Sequence, residues 1–475
     1  MRLQETPQPR GKGLASLGLA LGLCACQGPR AQAPPPLAIR SFVPAKDTSG
    51  VKPNLPASQE HAGAQTLDLA SALRIGGASS LQVALAREEL AAAEAQLDAA
   101  QVLLLPTLTV GGGYQDHSGA LQETTGNILQ VDRNSAYLRG GLIATIDLAQ
   151  AFLEPTRASH QVEAASQSVR ASINHNLTAI AMAHQDLLQA QALASQAQVD
   201  TALAGELVEL TEAFASAGQG LEADAARARA EFAQRARLES AAQQNLQMRS
   251  THLATLLRLD PTSALRTAEE QLIPLALFKL ESSLDELLLR AQESRPELRA
   301  LQASLRAQEQ AERKQELSVL IPELNLGLHT GRLGGAPDSS FHNFSEEDQF
   351  SATLTWSLRN LGLGESAARR NAAAETKSAR LRFLIAQDRI AQEVTLAHLQ
   401  IQAGQVQIAY AAQNVSEAAA ALDLSLRRSR AAEGLPIEAL QAIRANAQAK
   451  RAYLEAVATF NRSQFRLLQA VGSVP

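Results

Sequence analysis

Aromatic side chains are nearly missing: Phe, Trp and Tyr make up 3% of 475 residues, and there is one Trp. Length alone allows about three globular domains. So few aromatics argue against several ordinary cores, because these side chains usually supply much of core burial. Cysteine is scarcer still. Cys24 and Cys26 are the only two, which excludes a disulfide framework, a thiolate zinc site across the chain and a catalytic thiol deep in a domain. The net charge is −5 with no basic block, so no nucleic-acid footprint is visible. Beyond the first 25 residues no apolar run reaches the ~18 residues that a membrane-spanning helix needs. What is abundant instead is Ala, Leu, Gln, Glu and Arg, the composition of long helices and coiled coils.

The N-terminus reads as an address. Arg2, Arg10 and Lys12 precede an apolar run of 13 residues, Gly13 to Ala25, too short to span a bilayer but fitting the h-region of a secretory signal. The run ends Leu23-Cys24-Ala25-Cys26, which resembles a bacterial lipobox, with Leu at −3 and Ala at −1 before a lipidated cysteine. Cys26 suits that pattern better than Cys24, whose preceding residue is the bulky Leu23. A plain cleaved signal with incidental cysteines is the alternative. Gln27 follows Cys26, and the absence of Asp there is usual in outer-membrane lipoproteins. The expected divisions are a signal peptide over 1–25 and a tether over 26–64. Pro29, Pro34, Pro35, Pro36, Pro44, Pro53 and Pro56 keep that tether extended.

The remainder is one unit written twice, expected as repeats over 65–270 and 271–475. Leu104-Leu105-Pro106-Thr107-Leu108-Thr109-Val110-Gly111 matches Leu320-Ile321-Pro322-Glu323-Leu324-Asn325-Leu326-Gly327 at an offset of 216. Gly220-Leu221-x-x-Asp224 matches Gly434-Leu435-x-x-Glu438 at an offset of 214. A repeat of this length points to one architecture built by duplication. Within each half the period switches to two and back. Leu108, Val110 and Tyr114, then Leu138, Leu142, Ala144, Ile146 and Leu148, alternate with polar residues, as do 324–330 and 350–358. Period two is strand geometry with one apolar and one polar face. Each segment runs roughly 8–12 residues, the length of a tilted transmembrane strand. Segments 116–135 and 331–348 read as surface loops.

Very long helices are expected at about 153–217 and 365–433, roughly 90–105 Å each at 1.5 Å per residue. Val394, Ile401, Ile408, Val415 and Leu422 recur every seven residues, each followed three positions on by Ala, Gly or Ser. Ile173, Ile180, Leu187, Ala194, Thr201 and Val208 repeat the theme in the first half. A large/small heptad lets helices supercoil and approach closely. Shorter helices at about 221–258 and 284–318 stack end to end in this reading, matching the length of a long helix. Those at 67–104 and 436–471 form a second such pass.

These features resemble the TolC-type outer-membrane efflux protein family over roughly residues 65–472. The resemblance is carried by Arg295-Pro296-Glu297-Leu298, Pro106 and Pro322 before the first strand of each half, and the two Gly-Leu-x-x-acid turns. Tyr453-Leu454-Glu455-Ala456 and Phe460-Asn461-Arg462-Ser463-Gln464-Phe465-Arg466-Leu467-Leu468 add to it. It implies a mostly α fold with a transmembrane β-barrel: a homotrimer, each chain giving four strands to a shared 12-strand barrel and its helices to a long coiled-coil tunnel. It also implies an outer-membrane, lipid-anchored location reaching into the periplasm. The implied partners are outer-membrane lipid, a periplasmic adaptor and an inner-membrane pump, often of the resistance–nodulation–division type. Pro436 with the compact turn Gly434–Glu438, and the Cys at −2 of the lipobox, depart from the family pattern.

On that reading the chain is a conduit of a tripartite efflux or secretion system and not an enzyme. Alternation turns Arg139, Asp147 and His329 toward a water-filled lumen, with Leu142, Ile146, Leu326, Phe350, Leu354 and Trp356 toward lipid. By the resemblance, the turns carrying Gly220, Leu221, Gly434 and Leu435 touch the adaptor. Asp224 and Glu438, repeated threefold, are pore-gate candidates, since rings of acids select cations; an acid that merely offsets a helix dipole is the alternative. No cofactor or metal is implied: the nine histidines are scattered, without His-Glu-x-x-His or a close i, i+4 pair. Gly111-Gly112-Gly113 lacks the Lys-Ser/Thr of a phosphate loop and instead suits a barrel bend. The competing class is a periplasmic adaptor or other structural coiled-coil lipoprotein, which should carry a β-rich globular module.

Overall fold

The structure, a computed structural model, describes residues 65–278, 283–337, 343–431 and 433–474. The signal peptide, the tether and Cys26 lie outside the described residues. The order is β1 (Gln65–Leu67), α1 (Leu69–Ser79), α2 (Leu81–Gln101), β2 (Thr107–Gln122), β3 (Ile128–Asp147), α3 (Leu148–Ser216) and α4 (Glu222–Leu256). After β4 (Leu265–Thr267) come α5 (Leu284–Ser294), α6 (Pro296–Leu317), β5 (Glu323–Pro337), β6 (Ser345–Thr355), α7 (Leu363–Arg430) and α8 (Pro436–Ala470). β2, β3, β5 and β6 form one antiparallel sheet in that order. β1 and β4 pair in parallel, Gln65 with Leu265 through Leu67 with Thr267.

The two long helices run 69 and 68 residues, about 100 Å each. The heptad seam of α7 is where packing occurs: Val394 and Ile401 are buried, and Leu422 likewise. At Gly404 a β-carbon would stand 3.1 Å from the Phe460 ring of α8, which shows how closely small residues bring these helices together.

Three expectations need correction. First, the shorter helices stack differently. The end of α1 abuts the end of α4: the Ser79 hydroxyl donates to the Leu257 carbonyl at 3.3 Å, and Gly76 lies against Ile180 and Leu257. Likewise Arg295 at the α5–α6 junction donates to the Gln469 carbonyl at the end of α8, 2.7 Å away. So α1–α2 stacks on α4 along α3, and α5–α6 stacks on α8 along α7; the passes 221–258 with 284–318 and 67–104 with 436–471 do not form. Each broken stave thus comes from the first and last helices of its own half.

Second, the helices expected over 67–104 and 284–318 are each interrupted. Ser80 caps α2, accepting from Val83 N at 3.4 Å, and Pro296 opens α6 at N1, where the missing N–H costs nothing. The stretch Leu69–Gln101 does contain a window apolar and long enough to cross a membrane by composition. It is, however, folded as these two capped helices packed along α3.

Third, segments 116–135 and 331–348 are largely not loops. β2 runs to Gln122 and β3 starts at Ile128, with Asp116 paired to Asn134 and His117 to Arg133. β5 reaches Pro337 and β6 begins at Ser345. Polar residues on both faces remove the period-two signal while the ladder continues.

A belt of buried polar side chains ties the middle of the helices to the loops beside β4. Asn461 accepts from Leu275 N at 2.8 Å and donates to the Ile273 carbonyl at 2.9 Å. His184, fully buried on α3, has Nε2 3.3 Å from the Leu67 carbonyl, so it is a packing residue.

Candidate functional site

Two regions carry the candidates: the faces of the four-stranded sheet and the turns at the far ends of the long helices. The register sorts the sheet. One row crosses Leu108, Leu142, Leu328 and Phe350, all apolar and all exposed. Two residues along, the same face carries Val110 and, further out, Leu138; inward it carries Ala144 with Leu326, then Ile146 with Leu324 and Leu354. Val110 is 74% and Phe350 73% exposed, a large unsatisfied apolar face for a protomer in water. At its inner end Ala144 and Ile146 are covered by Leu103, Leu148 and Ala151, sealing the sheet to the helices.

Arg139, Asp147 and His329 lie on the opposite parity, with Thr109, Thr145, Asn325, Ser351 and Thr353. They share that face but do not converge. Arg139 Nε is 3.9 Å from Glu347 Oε2, and its guanidinium sits 4.3 Å from the Tyr137 ring centroid. Asp147 is committed to the start of α3, where its carboxylate accepts from Gln150 N at 2.9 Å. A β-carbon placed on Gly141 would lie 2.7 Å from His329 Nδ1, so the imidazole lies over that glycine. Neither Tyr137 nor Glu347 was legible as a lumen residue: Glu347 falls in a segment where polar residues on both faces erase the period-two signal, and Tyr137 is an aromatic side chain on the polar face.

The far turns are twins. After α3, Gly218 takes φ +70°, and Gln219 N donates back to the Phe214 carbonyl at 2.9 Å, closing the helix end as glycine at C′ permits. A β-carbon on Gly220 would be 3.0 Å from Phe214 Cβ; on Gly434, 3.1 Å from Arg428 Cβ. Leu221 and Leu435 occupy the N-cap positions of α4 and α8 with no side-chain cap, and both are exposed. Asp224 and Glu438 each sit in the first turn of the following helix, where an acid offsets the dipole. Neither is bare: Arg227 Nη1 is 2.8 Å from Asp224 and Arg428 Nη1 is 3.2 Å from Glu438.

Ion pairs that sequence reading missed join the two hairpins. Arg430 of α7 binds Glu206 of α3. Deeper, Glu231 of α4 accepts from Arg235 at 2.7 Å and from Arg444 of α8 at 2.6 Å. Burial alone pushes the Glu231 carboxyl up, but the hydrogen bonds from Arg444 and Arg235 outweigh it and hold the group below the usual carboxylate range. Beside it Asp200, bonded to Gln196 at 2.7 Å, is pushed up by burial. Among the described residues, no three His, Cys, Asp or Glu side chains are grouped as a metal site would need.

Residues 287–473 match the family described as outer membrane efflux protein. No curated protein matches the chain. Among solved structures, the outer-membrane channel OprN is similar at 20% identity and TM-score 0.73, over 85% of this chain and 90% of that one. The outer membrane protein VceC from Vibrio cholerae is similar at 18% and 0.73, over 86% and 96%. The CmeC outer membrane channel of Campylobacter jejuni is similar at 15% and 0.74, over 90% and 93%. At these identities the likeness establishes the fold.

Proposed function

We propose that this chain, which has a TolC-type protomer fold and matches the outer membrane efflux protein family over residues 287–473, is the outer-membrane channel of a tripartite efflux or secretion system. It receives solutes from an inner-membrane pump and a periplasmic adaptor and releases them outside. The observation that carries this reading is the sheet. It has one apolar exposed face, one polar face, and two edges, β2 and β6, that have no partner strand among the described residues. Four strands cannot close. In a membrane every backbone group must be paired, so the edges of one copy must meet those of others. Two copies would give eight strands, a barrel that side chains fill; three give twelve and leave a bore.

The helices likewise support assembly with further copies. α3 is flanked on both sides within the protomer, by α2 and α4 and by α6 and α8, whereas α7 packs mainly against α5, α6 and α8 and meets α3 through a few side chains such as Arg430 with Glu206. Its outer flank bears exposed Ile385, Leu396, Leu399, Val406, Tyr410 and Leu424, spaced for a neighbouring helix of another copy. The repeats 65–270 and 271–475 then supply alternate staves of a homotrimeric tunnel.

Leu221 and Leu435, raised on the Gly220 and Gly434 turns, are the adaptor-contact residues in this reading. Asp224 and Glu438 ring the entrance, each tempered by its arginine. Arg139, Asp147 and His329 line the strand portion. Lipidation at Cys26 anchors the chain to the outer membrane, and a pump of the resistance–nodulation–division type is the expected engine. An adaptor or structural coiled-coil lipoprotein would leave the apolar sheet face unexplained.

Full-length protein purified from membranes and added to planar bilayers should conduct in discrete steps and migrate as a crosslinked trimer. A monodisperse, water-soluble monomer without conductance would refute the proposal.

A further inference from the structure

Large side chains on the polar face of the sheet lie on glycines of the adjoining strand. At Gly331 and Gly141 the obstructing atoms include backbone: a β-carbon on Gly331 would be 2.7 Å from Arg139 Cα, and one on Gly141 3.1 Å from His329 Cα. There glycine serves the closeness of the strands themselves. Gly113 is different. It pairs in register with Tyr137, and the three atoms nearest to a β-carbon on it all belong to that side chain, at 2.5 Å for Cζ and 2.6 Å for the hydroxyl oxygen. The phenol therefore occupies the volume a side chain at 113 would take. Arg139 rests in turn on this ring, 4.3 Å from its centroid, and reaches across Gly331 toward Glu347.

We propose that Gly113 is the seat that keeps Tyr137, and through it Arg139, folded against the barrel wall, and that this stack sets the bore and the charge selectivity of the strand portion for dissolved ions. The proposal rests on the conduit reading above. A methyl group at 113 tilts the ring off the wall and lifts the guanidinium into the bore in each of three copies. A lifted cation narrows the bore and, within about a Debye length, repels other cations while attracting anions. Gly111 supplies the internal control. It has the same parity on the same strand, yet nothing lies within 4 Å of its β-carbon position.

The test uses purified full-length trimers in planar bilayers, recording potassium chloride conductance and the cation-to-anion permeability ratio. If the wild-type protein does not conduct, the conduit reading itself fails and takes this proposal with it. Given a conducting wild type, Gly113→Ala should lower conductance by about twofold and shift permeability toward chloride, whereas Gly111→Ala should match the wild type. In an Arg139→Gln background, Gly113→Ala should no longer move the permeability ratio. Should Gly113→Ala fail to assemble, Tyr137→Leu removes the platform without adding bulk and should give the same shift toward chloride. A purely structural role would change trimer yield and leave the permeability ratio of assembled channels alone. Equal ratios for Gly113→Ala, Tyr137→Leu and wild type, or an equal shift in Gly111→Ala, would overturn the proposal.

Discussion

Placing an arginine at Leu142 asks the sheet which way it faces. The apolar face extends on β3 from Leu138 to Ile146, about 26 Å along a strand at ~3.3 Å per residue. A tilt of ~40° reduces that to about 20 Å of height, close to the ~25 Å apolar band of outer-membrane barrels. Leu142 lies in the row of exposed Leu108, Leu328 and Phe350, with exposed Leu138 outward of it and exposed Leu354 inward on β6, which puts it near the middle of the face. Arginine on a lipid face at that depth costs about 2–4 kcal/mol, roughly 30- to 900-fold in the folding equilibrium per copy. With three copies acting independently the trimer loses about 6–12 kcal/mol. Ser351→Arg is the matched control. Ser351 lies next to Phe350 of the Leu142 row but points to the other face, over Gly327, where a charge stays in water. Folding of both variants into phospholipid vesicles, followed by urea titration, should show Leu142→Arg strongly destabilised and Ser351→Arg within about 1 kcal/mol of wild type. Equal stability of the two variants would mean that the apolar face does not meet lipid, and the barrel assignment would fall.

Glu231→Gln removes the charge and one of the two carboxylate oxygens that hold Arg235 and Arg444 together, and turns an NH2 toward one of them; because the Arg444 end is exposed and can rehydrate, the expected loss is about 1.5–3 kcal/mol, read as a lower urea midpoint of the assembled protein. The folded carboxyl titrates below its unfolded value, so its contribution is complete above the unfolded pKa and disappears as pH falls through the folded one. The gap between wild type and Glu231→Gln should therefore close in acid, and a gap independent of pH would show that the ion triad is not its source. Gly76→Ala drives a methyl into the fully buried Ile180, with Leu257 3.0 Å away. Overpacking of about 1–3 kcal/mol exceeds the helix-propensity gain of at most about 1 kcal/mol, and Ile180→Val in the same chain should recover stability; no recovery would place the strain elsewhere. Asp224→Ala or Glu438→Ala leaves an unopposed arginine in each copy at the entrance and should shift permeability toward anions, so an unchanged ratio in both would remove these acids from the gate.

The parts of the fold that sequence made legible are those whose signal is local and repeated. α3 and α7 announced themselves by unbroken helix formers and a heptad whose Val394 and Ile401 are indeed buried. The apolar portion of the strands showed in the alternation around Leu142 and Leu354. Further along the strands Asp116, His117, Asp132 and Asn134 remain in the ladder, but polar residues stand on both faces there and no hydrophobic period marks the strand. Helix lengths could not say which ends abut. That is decided by long-range contacts such as Ser79 with Leu257 and Arg295 with Gln469, and by a three-residue β1–β4 ladder too short to recognise. At the turns, the Gly-Leu-x-x-acid repeats were found because duplication wrote them twice. Glu231 was not, because it resembles any helical acid until Arg444, 213 residues away, closes over it.

The open sheet also bears on how assembly can go wrong. Its two free margins belong to different strands, β2 and β6, so a contact between copies is head-to-tail and not self-complementary. Such a contact ends only if the accumulated rotation returns to its start; otherwise it propagates into a fibre or stalls as an arc. On the channel reading, closure then depends on sheet curvature and on the angle at the α7 seam, and a substitution that leaves every protomer intact can still abolish the pore by changing how many copies complete the circle.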